Sequence, residues 1–147
     1  MTVGVEAGAG GGPDPGDVFD SACPGRAVFD HVTNRWGMLI LATLHGGPLR
    51  FFELRDRIGG ITEKMLSQNL RTLVRDGLVG REVRATAPPS VTYRLTPLGH
   101  GLAERLLAVV GWIRGNVPQI LDAQARHDTL QRGEAGRVRP GGDPGRP

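Results

Sequence analysis

The chain has 147 residues with 39% hydrophobic and 22% charged side chains, 23 Gly and 11 Pro, and a formal net charge of +3. Its longest nearly apolar run, Gly37 to Leu44, falls far short of the ~20 residues that cross a bilayer, so no membrane span is expected. A single cysteine allows neither an intramolecular disulfide nor a Cys-rich zinc site. The N-terminus lacks the basic and apolar regions of an export signal, which points to the cytoplasm.

Gly and Pro gather at the two ends. Residues 1–22 read as a flexible extension, disordered at least over 1–16, and residues 131–147 as a disordered tail. What lies between is one domain's worth of chain. The charge is uneven: −4 over residues 1–22, +1 over 23–47, +3 over 48–84 and +3 over 85–147. The middle is therefore more basic than the total, and Lys64 is the only lysine among the 18 basic residues. Arginine's planar fork suits phosphate and guanine, but codon bias also enriches it, so placement has to carry the argument.

Cys23-Pro24 opens a first helix, with Pro near the first helical position and Val28, Phe29 and Val32 on one face. Asn34 can cap a second helix, Arg35 to His45, apolar almost all round and so expected to be central and buried. A short third helix covers Phe51 to Ile58. After the turn Gly59-Gly60-Ile61, a fourth runs from about Thr62 to Asp76 and stops at Gly77. Two short helices joined by such a turn make a helix-turn-helix. Residues 78–84 and 91–95 alternate as a β-hairpin with Pro88 and Pro89 at its tip. Thr96-Pro97 then starts a long helix to about Gly115, and an extra helix is expected within 116–130. The order describes a mainly α fold with a small β-hairpin wing: a winged helix-turn-helix with terminal helices available for dimerisation.

The fourth helix carries the chemistry. Leu66, Leu70 and Leu73 share one side; Lys64, Ser67, Gln68 and Arg71 share the other, which has hydrogen-bonding and cationic groups and no carboxylate. Such a face suits the major groove, where Arg or Lys bonds guanine, Gln bonds adenine and Ser bonds phosphate. Thr62 at the helix start is placed for a phosphate. Arg84 and Arg94 flank the hairpin and can reach phosphate or minor groove; Arg35 and Arg50 are further phosphate candidates. The expected partner is double-stranded DNA. The long helix carries more apolar residues than one core stripe needs. Leu107, Val110 and Trp112, with Val28 and Phe29 of the first helix, are assigned to a homodimer interface that spaces two recognition helices about one DNA turn apart, roughly 34 Å.

These residues resemble the HxlR-type winged-helix regulators, a branch close to the MarR group. The matching elements are Cys23-Pro24, Arg35-Trp36 with Leu39-Ile40-Leu41, Phe51-x-Glu53-Leu54, Ile58-Gly59-Gly60-Ile61 and Lys64-Met65-Leu66-Ser67-Gln68-x-Leu70. They continue with Asp76-Gly77-Leu78-Val79 and Pro88-Pro89-x-Val91-x-Tyr93-x-Leu95-Thr96 through Gly99, so the likeness spans about 23–115. Ser90 and Asn69 depart from the family's usual basic or long polar residues. The resemblance implies a homodimeric repressor or activator on a palindromic operator, contacted by recognition helix and wing.

Cys23 precedes a helix, whose N-terminal partial charge favours a reactive sulfur. The resemblance implies a candidate role as sensor of an oxidant or electrophile, and a small aromatic effector is the other candidate. His31, His45, His100 and His127 show no convincing ligand spacing, so neither metal nor other cofactor is expected. No phosphate loop, paired carboxylates or Ser/His/Asp set is found, which argues against an enzyme. A winged-helix module that binds protein instead of DNA is the alternative, though it has no need of a carboxylate-free recognition face.

Overall fold

A computed structural model describes Gly12 and Asp14 to Arg137. The order is α1 (Pro24–Thr33), α2 (Arg35–Leu44), β1 (Leu49–Arg50), α3 (Phe51–Arg57), α4 (Glu63–Arg75), β2 (Val79–Arg84), β3 (Ser90–Leu95) and α5 (Pro97–Arg137). The chain forms two compact units that divide within α5, between Leu107 and Ala108. Among the described residues no helix is long and apolar enough to cross a membrane.

Local chemistry sets the helix ends of the first unit. Asn34 ends α1 and begins α2: its Oδ1 accepts from the Trp36 and Gly37 N–H groups at 3.1 and 3.0 Å, and its Nδ2 donates to the His31 carbonyl at 2.7 Å. Gly37 lets α2 lie against α1, since a Cβ there would overlap the His31 carbonyl oxygen. α4 closes with a Schellman motif. Leu78 N–H donates to the Leu73 carbonyl and Gly77 N–H to that of Val74, both at 3.0 Å, with Gly77 at φ +74°. Thr96 caps the start of α5, its Oγ1 accepting from Gly99 N–H at 3.0 Å and donating to the Gly77 carbonyl at 2.6 Å.

The core forms where α2, α3 and α4 meet the sheet. Ile40, Leu41, Leu54, Leu66, Leu70, Leu73 and Val79 are each at most 2% exposed. The helix-turn-helix lies between α3 and α4, joined through Gly59-Gly60, with Gly60 at φ +82°. β2 and β3 form the expected hairpin, with Val79 opposite Leu95 and Arg84 opposite Ser90.

Several features differ from the expectations. The sheet has three strands in the order β1-β3-β2, because Leu49 and Arg50 pair with Tyr93 and Thr92. Two residues show no period of their own, so only pairing with β3 reveals them. α2 is buried on one side and not all round: Leu39 remains 36% exposed. His31 is part-buried, with its Nδ1 2.7 Å from Asp76 Oδ2, a contact between distant segments that ties α1 to the end of α4.

At the N-terminal side, residues 14–22 fold as successive turns against the start of α1, with Gly25 N–H donating to the Pro15 carbonyl at 2.9 Å. The expected disorder of residues 1–11, 13 and 138–147 lies outside the described residues. In the second unit, α5 runs on through Gly115 and Pro118 with no separate helix within 116–130, and residues 131–137, expected as tail, are helical. Pro118 lacks the N–H that would bond one turn back. The Ala, Gln, Leu and Arg that follow propagate helix well, so the loss does not end it.

Candidate nucleic-acid interface

α4 has two chemically distinct sides. Leu66, Leu70 and Leu73 are buried, while Lys64, Gln68 and Arg71 are exposed and Ser67 is half-buried. Arg71 Nη2 lies 3.4 Å from Ser67 Oγ, so the two polar groups of successive turns are in contact. Thr62 is the N-cap; its Oγ1 accepts from Met65 N–H at 3.1 Å and keeps its own proton for a further acceptor. Glu63, the acid of the first turn, is held away from this face by Arg55 of α3, whose Nη1 is 2.7 Å from Glu63 Oε1. That hydrogen bond is the main reason the Arg55 pKa is raised above its ordinary value. The N-terminal half of α4 thus presents donors, with its carboxylate neutralised by a neighbour.

The sheet extends this surface in a way the linear sequence conceals. Arg81 projects from the same sheet face as Val79 and Tyr93, with which it is in register. Together with Ser67, Arg71 and Arg75 it lines a concavity between α4 and the sheet. Arg75 and Arg81 were missed by sequence reasoning. The signal for Arg81 was its even spacing from buried Val79, but that placement needs the pleat and the neighbouring helix to be known.

Arg50, Arg84 and Arg94 belong to the opposite sheet face. Arg50 is opposite Thr92, Thr92 is opposite Glu82, and Arg94 and Arg84 lie one step along on either side. Arg94 and Arg84 each approach Glu82, at 3.8 and 4.0 Å, with all three side chains at least 43% exposed. Exposed pairs of this kind are weak, roughly 0–1 kcal/mol, so a phosphate can displace the carboxylate. The predicted cations therefore divide between two surfaces, the α4 side and the outer wing side. Arg35 stands apart at the start of α2, its guanidinium 5.4 Å from the Trp36 ring centroid.

The residues assigned to dimerisation carry apolar surface that their own unit leaves open. In the first unit Val28 and Phe29 are 43% and 45% exposed, and Leu107 is half-buried. An apolar hollow lined by Val28, Leu78, Leu98 and Leu102 lies beside them. In the second unit Val110 is half-buried and Trp112 is 60% exposed.

Cys23 differs from an open reactive thiol. It is the N-cap of α1 and only 4% exposed, and its Sγ lies 2.8 Å from the Pro15 carbonyl and 3.2 Å from that of Asp14. The 14–16 turn covers it, so a reagent reaches the sulfur only after that turn moves.

Comparison with known proteins agrees with this geometry. The model of the HxlR-like helix-turn-helix family matches residues 31–121. The HTH-type transcriptional regulator YtfH of Escherichia coli (strain K12) is 47% identical over 106 residues, covering 72% of this chain and 84% of that one. Among solved structures, YtfH from Salmonella typhimurium is 45% identical with a TM-score of 0.69, over 73% of this chain and 96% of that one. The redox regulator HypR in its oxidized form is 35% identical with a TM-score of 0.59, over 64% and 97%. With its helix-turn-helix, its wing and these relatives, the chain belongs to the HxlR-like helix-turn-helix family.

Proposed function

We propose that the protein is a sequence-specific DNA-binding transcriptional regulator that acts as a homodimer on a two-fold operator, most simply as a repressor that occludes a promoter. The observation that carries this reading is the outward row Lys64, Ser67, Gln68 and Arg71 on a helix anchored by three buried leucines. A helix backed by a packed core enters the major groove with its polar side chains already aligned. Thr62 and Arg35 would bind phosphate beside it, and Arg50, Arg84 and Arg94 would bind backbone or minor groove from the wing. Such a protein works where the chromosome is, in the cytoplasm.

The dimer would be built from the exposed apolar residues of α1 and α5, Val28, Phe29, Leu107, Val110 and Trp112. Two-fold pairing would set the recognition helices about one turn of DNA apart, roughly 34 Å. Cys23 would report an oxidant or electrophile, since its modification has to displace the 14–16 turn from the start of α1. The hollow beside Val28 is the candidate seat for an apolar effector. In this reading diamide lowers operator affinity of the natural protein and leaves that of Cys23→Ser unchanged; an equal response of the two would remove Cys23 from the mechanism.

The test of the central reading is a fluorescence-anisotropy titration of the protein against the DNA upstream of its own gene and against a shuffled duplex, at several salt concentrations. Preference for the upstream DNA that survives at high salt supports sequence readout. Equal affinity for both duplexes, falling together with salt, would reduce the protein to a backbone binder.

A further inference from the structure

His45 and His100 are far apart in sequence but touch in the fold. His45 is the C-cap of α2 and His100 lies in the first turns of α5. Their rings stack with centroids 4.7 Å apart and planes inclined by 18°. Glu104 follows one turn along α5 on the same side, with Oε1 3.4 Å from His100 Nε2. One ligating atom from each of these three side chains lies within 4.8 Å of the other two. All three residues belong to the first unit.

The backbone beneath them is held firmly. His45 N–H reaches the Ala42 and Thr43 carbonyls. The start of α5 is fixed by the Thr96 cap, and by Gly99, where a Cβ would overlap the Leu78 carbonyl. The side chains themselves are half-buried or exposed. Their donors are two imidazole nitrogens and one carboxylate oxygen. This set suits borderline divalent transition metals; magnesium and calcium take shells of oxygen.

We propose that His45, His100 and Glu104 form a binding site for a divalent transition-metal ion of the zinc class, with solvent as the remaining ligand. Metal–ligand bonds of about 2.0–2.2 Å in a tetrahedron bring the donor atoms to roughly 3.3 Å from one another. Closing from the present spacing needs only side-chain rotation, with the stacked rings splaying until their nitrogens converge. The bound ion would staple the end of α2 to the beginning of α5. The proposal stands on these three residues and does not depend on the DNA-binding reading.

The experiment uses full-length, untagged protein stripped with a chelator, titrated with zinc chloride by calorimetry and with cobalt chloride by visible absorbance. The expected result is one ion per chain. Binding should weaken by about tenfold or more in His45→Gln and in His100→Ala, and less in Glu104→Gln. Cobalt should broaden the ring NMR signals of His45 and His100 most strongly, and that of His31 less. At a hundredfold excess of zinc over its Kd, Tm should rise by roughly 5 °C or more, and not in the double variant His45→Gln with His100→Ala. Melting without metal verifies that the variants fold; His100 is exposed, so His100→Ala carries the test if His45→Gln does not fold. Absence of saturable binding overturns the proposal, as does binding that persists in the double variant.

Discussion

At the scale of single residues, the recognition face is defined by what each side chain can still donate once its own helix is satisfied. Asn69, also on α4, spends its Nδ2 on the Met65 carbonyl at 2.8 Å. Gln68 and Lys64 have no such side-chain bond among the described residues, and Arg71 has only a long contact with Ser67. Gln68→Ala and Arg71→Ala are therefore expected to cost about 1–3 kcal/mol at a cognate site and to relax base preference there. Competition titrations with singly substituted operators measure this; uniform loss on every sequence would assign either residue to phosphate. Gly99 is a residue whose role is steric. The Leu78 carbonyl leaves no room for a Cβ, and that oxygen belongs to backbone. Gly99→Ala should destabilise the fold by about 1–3 kcal/mol, read as a lower urea midpoint at constant slope.

At the scale of elements, the sheet assigns functions that single residues do not have. Pairing alternates its side chains between faces. Arg81 therefore joins α4, while Arg50, Arg84 and Arg94 form an outer wing surface around Glu82. The two groups should respond differently to substitution. Arg84→Ala should weaken binding to all duplexes nearly equally and flatten the slope of log K against log salt by about one unit. Affinity measured over a series of salt concentrations reads that slope; an unchanged slope would place Arg84 away from the backbone. The short helix α3 has an indirect part, since its Arg55 holds Glu63 and keeps the start of α4 free of unpaired negative charge.

At the scale of the whole molecule, the long helix poses the main question. Residues 121–137 are all exposed, among them Leu121 and Leu130 at 55% and 68%. The exposed apolar residues of α5 call for a partner surface, and a second copy of the chain is the occupant under the dimer reading. Trp112→Glu should shift the protein from dimer to monomer in sedimentation equilibrium. It should also lower affinity for a two-half-site operator far more than for a single half-site, because linked binding is lost. A dimer that persists in Trp112→Glu would move the interface elsewhere.

Much of this architecture is written in short stretches of sequence. The leucines of α4 and the polar row opposite them follow from helical periodicity alone, and so does the cap at Gly77, since both depend on residues within two turns of each other. The hairpin and the start of α5 at Thr96-Pro97 are local in the same sense. The break expected after Gly115 was a local signal too, and there favourable propensity on the C-terminal side prevailed over the hydrogen bond that Pro118 lacks. Tertiary structure alone decided that Leu49 and Arg50 are a strand, that Arg81 shares a concavity with Arg71 and Arg75 of α4, and that Cys23 is covered. It alone brought His31 to Asp76 and His45 to His100. Apart from the local turn over Cys23, most of these contacts join different elements, and their geometry is set by how those elements pack around the core. Periodicity reports which way a side chain points on its own helix or strand; only the packed fold determines what stands opposite.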